Sequence, residues 1–170
     1  MRTASKLRPT LMLAACCGLA ACASRPHVTA FQKAPIPSAP RTVALALDQG
    51  EKLPLGISPD LIAAAVDKAG FAFDGNAPRY RLVLAATLGS SGTGSYIPAD
   101  GAATQPIWVM RPDRSLRARL SRGDVLRVTA LLIDGHDNRE LWRGTGTLRT
   151  SDPGRAPALA REVLAQLPHG

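Results

Sequence analysis

The chain has 170 residues, with 21 basic and 13 acidic side chains and a formal net charge of +8 at neutral pH. Its three cysteines fall at positions 16, 17 and 22, so everything beyond residue 22 forms no disulfide and holds no zinc through cysteine. Setting aside residues 1–21 leaves 149 residues, enough for one domain around one apolar core.

The first segment is a secretory signal by layout. Arg2, Lys6 and Arg8 precede an apolar run from Leu11 to Ala21 that ends in small residues, too short for a membrane-spanning helix. It closes on Leu19-Ala20-Ala21-Cys22, which resembles the lipobox of bacterial lipoproteins, where cleavage before the cysteine leaves a thiol that carries diacylglycerol. Leu13-Ala14-Ala15-Cys16 spells the same letters. A cut there leaves only Leu11 to Ala15, short of the roughly 7–15 apolar residues a signal peptide uses. Cys22 is therefore the expected lipidation site. The alternative, an ordinary cut near Ala21-Cys22-Ala23, leaves the cysteine without a reason.

Acylation at Cys22 makes the membrane a partner through the N-terminal lipid, since two or more chains anchor stably. Ala23 replaces the Asp that retains enteric lipoproteins at the inner membrane, so the expected location is the periplasmic face of the outer membrane. Export removes nucleic acid from the partners. Without the signal, eighteen basic residues face thirteen acidic ones, a net of five positive charges, and fifteen of the basic residues are Arg. Such a surface suits lipid headgroups, lipopolysaccharide or peptidoglycan; a GC-rich genome writes the same Arg and Ala bias.

Residues 22–40 read as the acylated cysteine and a tether. Pro26, Pro35, Pro37 and Pro40 break any period, and an extended stretch of this length spans several tens of ångströms at about 3.3 Å per residue. Residues 41–170 form the single domain. Arg41 to Leu47 is the first strand. Ser58-Pro59-Asp60 opens a helix through Ala69 with Ile62, Ala65, Val66 and Ala69 on one face, and Gly70 stops it. Phe71 to Phe73 is a short strand and Asp74-Gly75-Asn76 a turn.

Arg79 to Leu88 alternates strictly, with Tyr80, Leu82, Leu84, Ala86 and Leu88 on one side, the pattern of a half-buried strand. Residues 89–113 are a Gly/Ser-rich insertion, of a length that compact domains keep for function or leave disordered. Ser115 to Ser121 reads as another strand. Val125 to Asp134 and Glu140 to Arg149 make a hairpin across Gly135 to Asn138. A last helix follows Ser151-Asp152-Pro153, with Ala156, Leu159, Ala160, Val163, Leu164 and Leu167 at helical spacing until Pro168. The expected fold is α+β: a mostly antiparallel sheet of four to six strands with two amphipathic helices on one face.

The run VTALLIDGHDNRELWRGTGTL, followed by a helix ending in Leu167-Pro168, resembles the DUF4136 lipoproteins of Gram-negative bacteria. The residues that carry it are Leu132, Ile133, Asp134, Leu141, Trp142, Arg143 and Gly144, with the helix-Gly70-Phe71 passage and the strand from Tyr80 to Leu84 in support. The family's Tyr- and Trp-bearing N-terminal strand is missing, and Arg41 to Leu47 takes its place. The resemblance implies a membrane-anchored α+β domain and brings no activity with it.

Candidate contact residues come from two regions. Arg111, Arg114, Arg117, Arg119, Arg122 and Arg127 are the densest positive stretch, and Arg117 and Arg119 share one strand face that Arg79 and Arg81 can join. Such a patch suits phosphate or carboxylate groups; as a solvated sheet face it only solubilises. Tyr96, Ile97 and Trp108 mark the insertion as a contact region. Trp142-Arg143-Gly144 reads either as a recognition site, with Arg143 on an anion, or as a core Trp beneath the last helix with Gly144 at a close approach.

His27, His136 and His169 have neither metal-ligand spacing nor a nucleophile motif around them. Asp134 and Asp137 read as turn-stabilising, and Gly89, Gly92 and Gly94 lack a phosphate-loop context. The expectation is a non-enzymatic lipoprotein without metal or cofactor that binds an envelope protein or an anionic glycan or lipid headgroup. The alternatives are a hydrolase of cell-wall or lipid material, assembled from distant segments, and a small-lipid carrier.

Overall fold

The structure, a computed structural model, describes residues 25–37, 40–46, 53–89, 95–97, 107–110 and 123–169, with the backbone alone at 95–97 and 107–110. The alternating segment forms β4 (Tyr80–Gly89), and the hairpin arms are β7 (Val125–Asp134) and β8 (Glu140–Arg149). All three pair antiparallel over their length. The alternating set Tyr80, Leu82 and Leu84 meets Leu126, Val128, Ala130 and Leu132 in one core cluster, as period-2 patterning requires.

Two further strands flank this centre. β1 (His27–Gln32) pairs antiparallel with β8, and β2 (Thr42–Leu45) pairs parallel with β4 and with β3 (Ala72–Phe73). The order is β1-β8-β7-β4-β2-β3. The sheet is thus mixed rather than mostly antiparallel. The cause is α1 (Pro59–Lys68): it carries the chain back to the starting end of β2, so β3 and β4 both leave in the same direction as β2.

β1 overturns the expected tether. His27 to Gln32 lies in register from Thr147 to Trp142, and Lys33 N–H donates to Leu141 O at 2.8 Å. The prolines stand outside this six-residue run, which leaves its amide donors intact, and the strand takes an edge position where pairing on one side suffices. The insertion at 89–113 also holds more structure than a loop. β5 (Ser95–Ile97) and β6 (Ile107–Met110) form a two-stranded antiparallel ribbon, and β6 runs against β4 and β7. The strand expected at Ser115 to Ser121 lies outside the described residues.

Each helix is delimited by local chemistry. Ser58 Oγ accepts from Leu61 N–H at the start of α1. At its end Gly70 takes φ +80°, with Gly70 N–H on Asp67 O and Phe71 N–H on Val66 O, the paired bonds of a Schellman stop. The last helix begins as a 3₁₀ turn (Pro153–Arg155), where Asp152 Oδ1 accepts from Gly154 N–H, and continues as α2 (Ala156–Leu164). Ile62 and Val66 of α1 and Leu159, Ala160, Val163 and Leu164 of α2 join the same cluster as the sheet residues.

Arg41 ties the two helix ends together. Its guanidinium lies 4.1 Å from the Phe71 ring centroid, with Nη1 on Ala69 O at 3.4 Å and Nη2 on Pro168 O at 3.2 Å. A cation there meets the negative end of a helix as well as an aromatic face.

Two glycines of β8 set how closely α2 can lie. A Cβ built on Gly146 would stand 2.7 Å from Val163 Cγ2 and 2.8 Å from Leu159 Cδ1. One on Gly144 would stand 2.6 Å from the Trp142 ring and 2.9 Å from Val163 Cγ1. Trp142 is 1% exposed, packed in the core beneath the last helix. Leu141 and Trp142 are both buried because β8 carries an extra residue there: Leu132 pairs with Trp142 and Ile133 with Glu140, a bulge that frees two neighbours from alternation.

The opposite sheet face is partly closed too. Val83, Leu131 and Ile133, at most 7% exposed, form a second cluster with Ala46 and Ala85, so the central strands read as buried runs rather than alternations. Gly146→Ala forces a methyl against Val163 and Leu159. It is expected to lower stability by about 1–3 kcal/mol, read as a lower urea midpoint with an unchanged m-value.

Candidate functional site

Cys22, Arg117 and Arg119 lie outside the described residues. Tyr96 and Trp108 are brought together: they are direct register partners in the β5–β6 ribbon. Arg143 stands on the sheet face opposite Trp142 and Gly144, paired across to Leu131 and to Phe31. Its guanidinium forks onto Glu140, with Nε and Nη2 each 2.8 Å from a carboxylate oxygen. Lys33 Nζ adds a third contact to Glu140 at 2.9 Å. A guanidinium held in this bidentate way is committed to the strand that carries it.

The polar groups divide between the two ends of the sheet. At the β7–β8 turn, Asp134 Oδ2 accepts from Arg79 Nη2 at 3.2 Å, and its Oδ1 accepts from the His136 backbone N–H at 2.9 Å. Arg81 Nη2 donates to Asn138 Oδ1, and Asp137 Oδ1 accepts from Arg139 N–H. Gly135 packs against backbone, its N–H on Arg79 O at 2.8 Å, where an added Cβ would stand 2.9 Å from that oxygen. Arg79 and Arg81 therefore belong to this turn.

The chemistry of the turn is that of a fastener. The His136 N–H bond holds the buried Asp134 carboxyl below its ordinary value; burial opposes this and Arg79 reinforces it. Burial alone would raise Glu140, but hydrogen bonds from Arg143 and Lys33 outweigh it and leave the carboxyl lowered. Among the described residues no imidazole hydrogen-bonds a hydroxyl or a carboxylate, and no cluster of three His, Cys, Asp or Glu could hold a metal ion.

The other end of the sheet is where β1 begins. His27 pairs with Thr147, Thr147 with Arg127 and Arg127 with Thr87, one row across four strands. The outermost row is Arg149, Val125 and Gly89. Arg127, Thr129 and Leu131 alternate with the core-facing Leu126, Val128 and Ala130, which puts Arg127 on the same face as Leu131 and Ile133. Arg149 pairs with Val125 on that same face. Arg25 precedes His27, and Arg155 lies in the 3₁₀ turn just beyond β8. Arg25, His27, Arg149 and Arg155 are exposed and Arg127 is half-buried, Arg127 and Arg149 each being engaged with a partner; among the described residues Asp124 and Asp152 are acids near this end.

Of this group, sequence reasoning had only Arg127, as part of a linear Arg run. Arg25, Arg149 and Arg155 are scattered in sequence, and only the β1–β8 register gathers them. The one available signal was the proline-free run HVTAFQ.

No protein-family model matches the chain, and comparison with curated proteins finds no match. Among solved structures, two crystal forms of the PelC dodecamer from Paraburkholderia phytofirmans are similar at a TM-score of 0.44. One shows 19% identity over 85% of this chain and 98% of that one; the other shows 18% over 86% and 100%. A PDZ domain protein from Parabacteroides distasonis is similar at a TM-score of 0.44 and 13% identity, over 87% of this chain and 38% of that one.

Because Asp134 and Glu140 are held below their ordinary values, each stabilises the fold above the range where unfolded carboxylates titrate, about pH 4. Each loses that contribution as pH falls through its folded value. The urea midpoint is expected to decline on acidification through that range. Asp134→Asn should start lower at neutral pH and decline less, as followed by circular dichroism.

Proposed function

We propose that this protein is a lipid-anchored, non-catalytic lipoprotein of the bacterial envelope, attached through Cys22 and serving as a binding or accessory domain. The observation that carries the reading is the basic n-region, apolar run and Leu19-Ala20-Ala21-Cys22 in sequence. The same reading takes Ala23 as leaving the protein free to reach the periplasmic face of the outer membrane. It also takes both helices as covering one sheet face, supported by the single cluster that their buried residues share with Tyr80, Leu82 and Leu126. The likeness of the β7–β8 hairpin and terminal helix to DUF4136 lipoproteins is in keeping with it.

Two observations favour a binding domain over the alternatives. The polar side chains at the β7–β8 turn are engaged with one another, and no described imidazole is paired with a nucleophile or an acid. Where α2 lies on β8, the space is too tight for one added methyl, which leaves a lipid cargo no room there.

The test is made in the native host with full-length protein. Cys22→Ser is expected to abolish the diacylglyceryl mass at the mature N-terminus and to leave the uncleaved or unlipidated form. Cys16→Ser is expected to change neither cleavage nor membrane fractionation. Lipid on Cys16, or an unlipidated mature N-terminus in the unaltered protein, overturns the reading.

A further inference from the structure

The geometry points to a partner beyond that reading: β1 pairs edge to edge with β1 of a second copy of this chain, antiparallel about a two-fold axis at Phe31. Two observations carry it, the outer backbone of β1 and the exposed ring that stands beside it.

Among the described residues β8 is the one strand neighbour of β1. Lys33 N–H donates to Leu141 O, and antiparallel bonds fall on alternate residues. Thr29 and Phe31 therefore turn their backbone groups to β8, while Val28, Ala30 and Gln32 turn theirs outward. Ala30, Phe31 and Gln32 are all exposed. Natural edge strands are blunted by charge, by proline, by a bulge or by shortness. From His27 to Gln32 there is no Lys, Arg, Asp, Glu or Pro, and the register with β8 is unbroken over six residues.

The other edge of the sheet is protected. β3 has two residues, and the bonds of Ala72 N–H to Arg41 O and Asp74 N–H to Val43 O leave only Phe73 turned outward. Asp74 Oδ1 then accepts from Asn76 N–H and closes the chain into a turn. An aromatic ring is exposed there too, Phe73 at 46% against 64% for Phe31, but without a run of free backbone beside it.

A second copy fits the β1 edge because the run is complementary to itself. With Phe31 opposite Phe31, Ala30 meets Gln32 of the second copy and Gln32 meets its Ala30. All four residues are outward-turned, so each pair exchanges two backbone hydrogen bonds. The two Phe31 side chains then form a non-hydrogen-bonded pair, the closest kind across a ladder, and each exposed ring covers the other. Lys33 falls opposite Thr29, so no like charges meet, and Lys33 keeps its pairing with Glu140. A slip of one residue sets outward-turned groups against inward-turned ones and forfeits the bonds. A slip of two places Phe31 opposite Thr29 or Lys33.

Such a contact is small and exchanges quickly, so the experiment traps it. Full-length protein carrying Phe31→Cys is treated with a mild disulfide oxidant. Opposed residues of a non-hydrogen-bonded pair stand about 4.5 Å apart at Cα, within disulfide reach. A covalent dimer is expected, with a mass spectrum joining position 31 to position 31; that peptide separates the bond from any made through Cys16, Cys17 or Cys22. His27→Cys is the control. It is exposed on the same strand, but its counterpart lies eight residues further along, about 27 Å away, and no linkage is expected.

Ala30→Pro added to Phe31→Cys removes an outward N–H, a place where an edge strand accepts proline. Linkage should be lost while the circular dichroism spectrum is unchanged. A monomeric Phe31→Cys protein, or equal linkage at 27 and 31, overturns the pairing. So does linkage at 31 that persists in the folded Ala30→Pro variant.

Discussion

The fold turns on how closely α2 lies on β8. Gly144 and Gly146 present no side chain to the core, and Val163 and Leu159 occupy the space that their Cβ atoms would need. The large Trp142 ring fits only because the residue two positions on is bare. With α2 lowered onto the strand, the short segment that follows it brings Pro168 O within reach of Arg41, which also holds the end of α1 and stacks on Phe71. One strand's lack of two methyl groups thereby sets the position of both helices. The Gly/Thr alternation of β8, unpromising as a strand by propensity, is the shape the helix requires.

What could be read from the sequence were the elements whose stabilising contacts are local or periodic. β4 and β7 announce themselves by alternation, and α1 by Ser58, Pro59 and the Gly70 stop. The buried Trp142 and the turn-forming Asp134 and Asp137 also follow from short-range chemistry. β1 did not show, because an edge strand needs neither alternation nor high propensity, only a partner, and its partner lies at the far end of the chain. The mixed sheet was hidden for a related reason: strand direction depends on where α1 delivers the chain. The second buried face was visible in hindsight as the unbroken apolar run Ala130 to Ile133, which alternation counting treats as half-exposed.

The candidate contact residues divide on similar grounds. Tyr96 and Trp108, far apart in a segment rich in Gly and Ser, become cross-strand partners through the β5–β6 ribbon. Arg143 was a candidate through its neighbours in sequence, yet three residues earlier Glu140 supplies the acid that holds it. A charge pair at i and i+3 along a strand would ordinarily project to opposite faces. The bulge at Leu141 brings the two onto one face, and no sequence pattern announces a bulge.

β1 is the first strand of the domain to be synthesised, and β8 is the last. Closing the sheet at its β1 edge joins residues separated by most of the polypeptide, the kind of long-range contact that slows folding. Until β8 arrives, β1 has an unsatisfied backbone on both sides, since β8 is its one strand neighbour. The domain cannot be completed piecemeal from its N-terminus. A chain truncated before β8 would leave β1 without a partner, an open strand of the kind prone to pair with other chains.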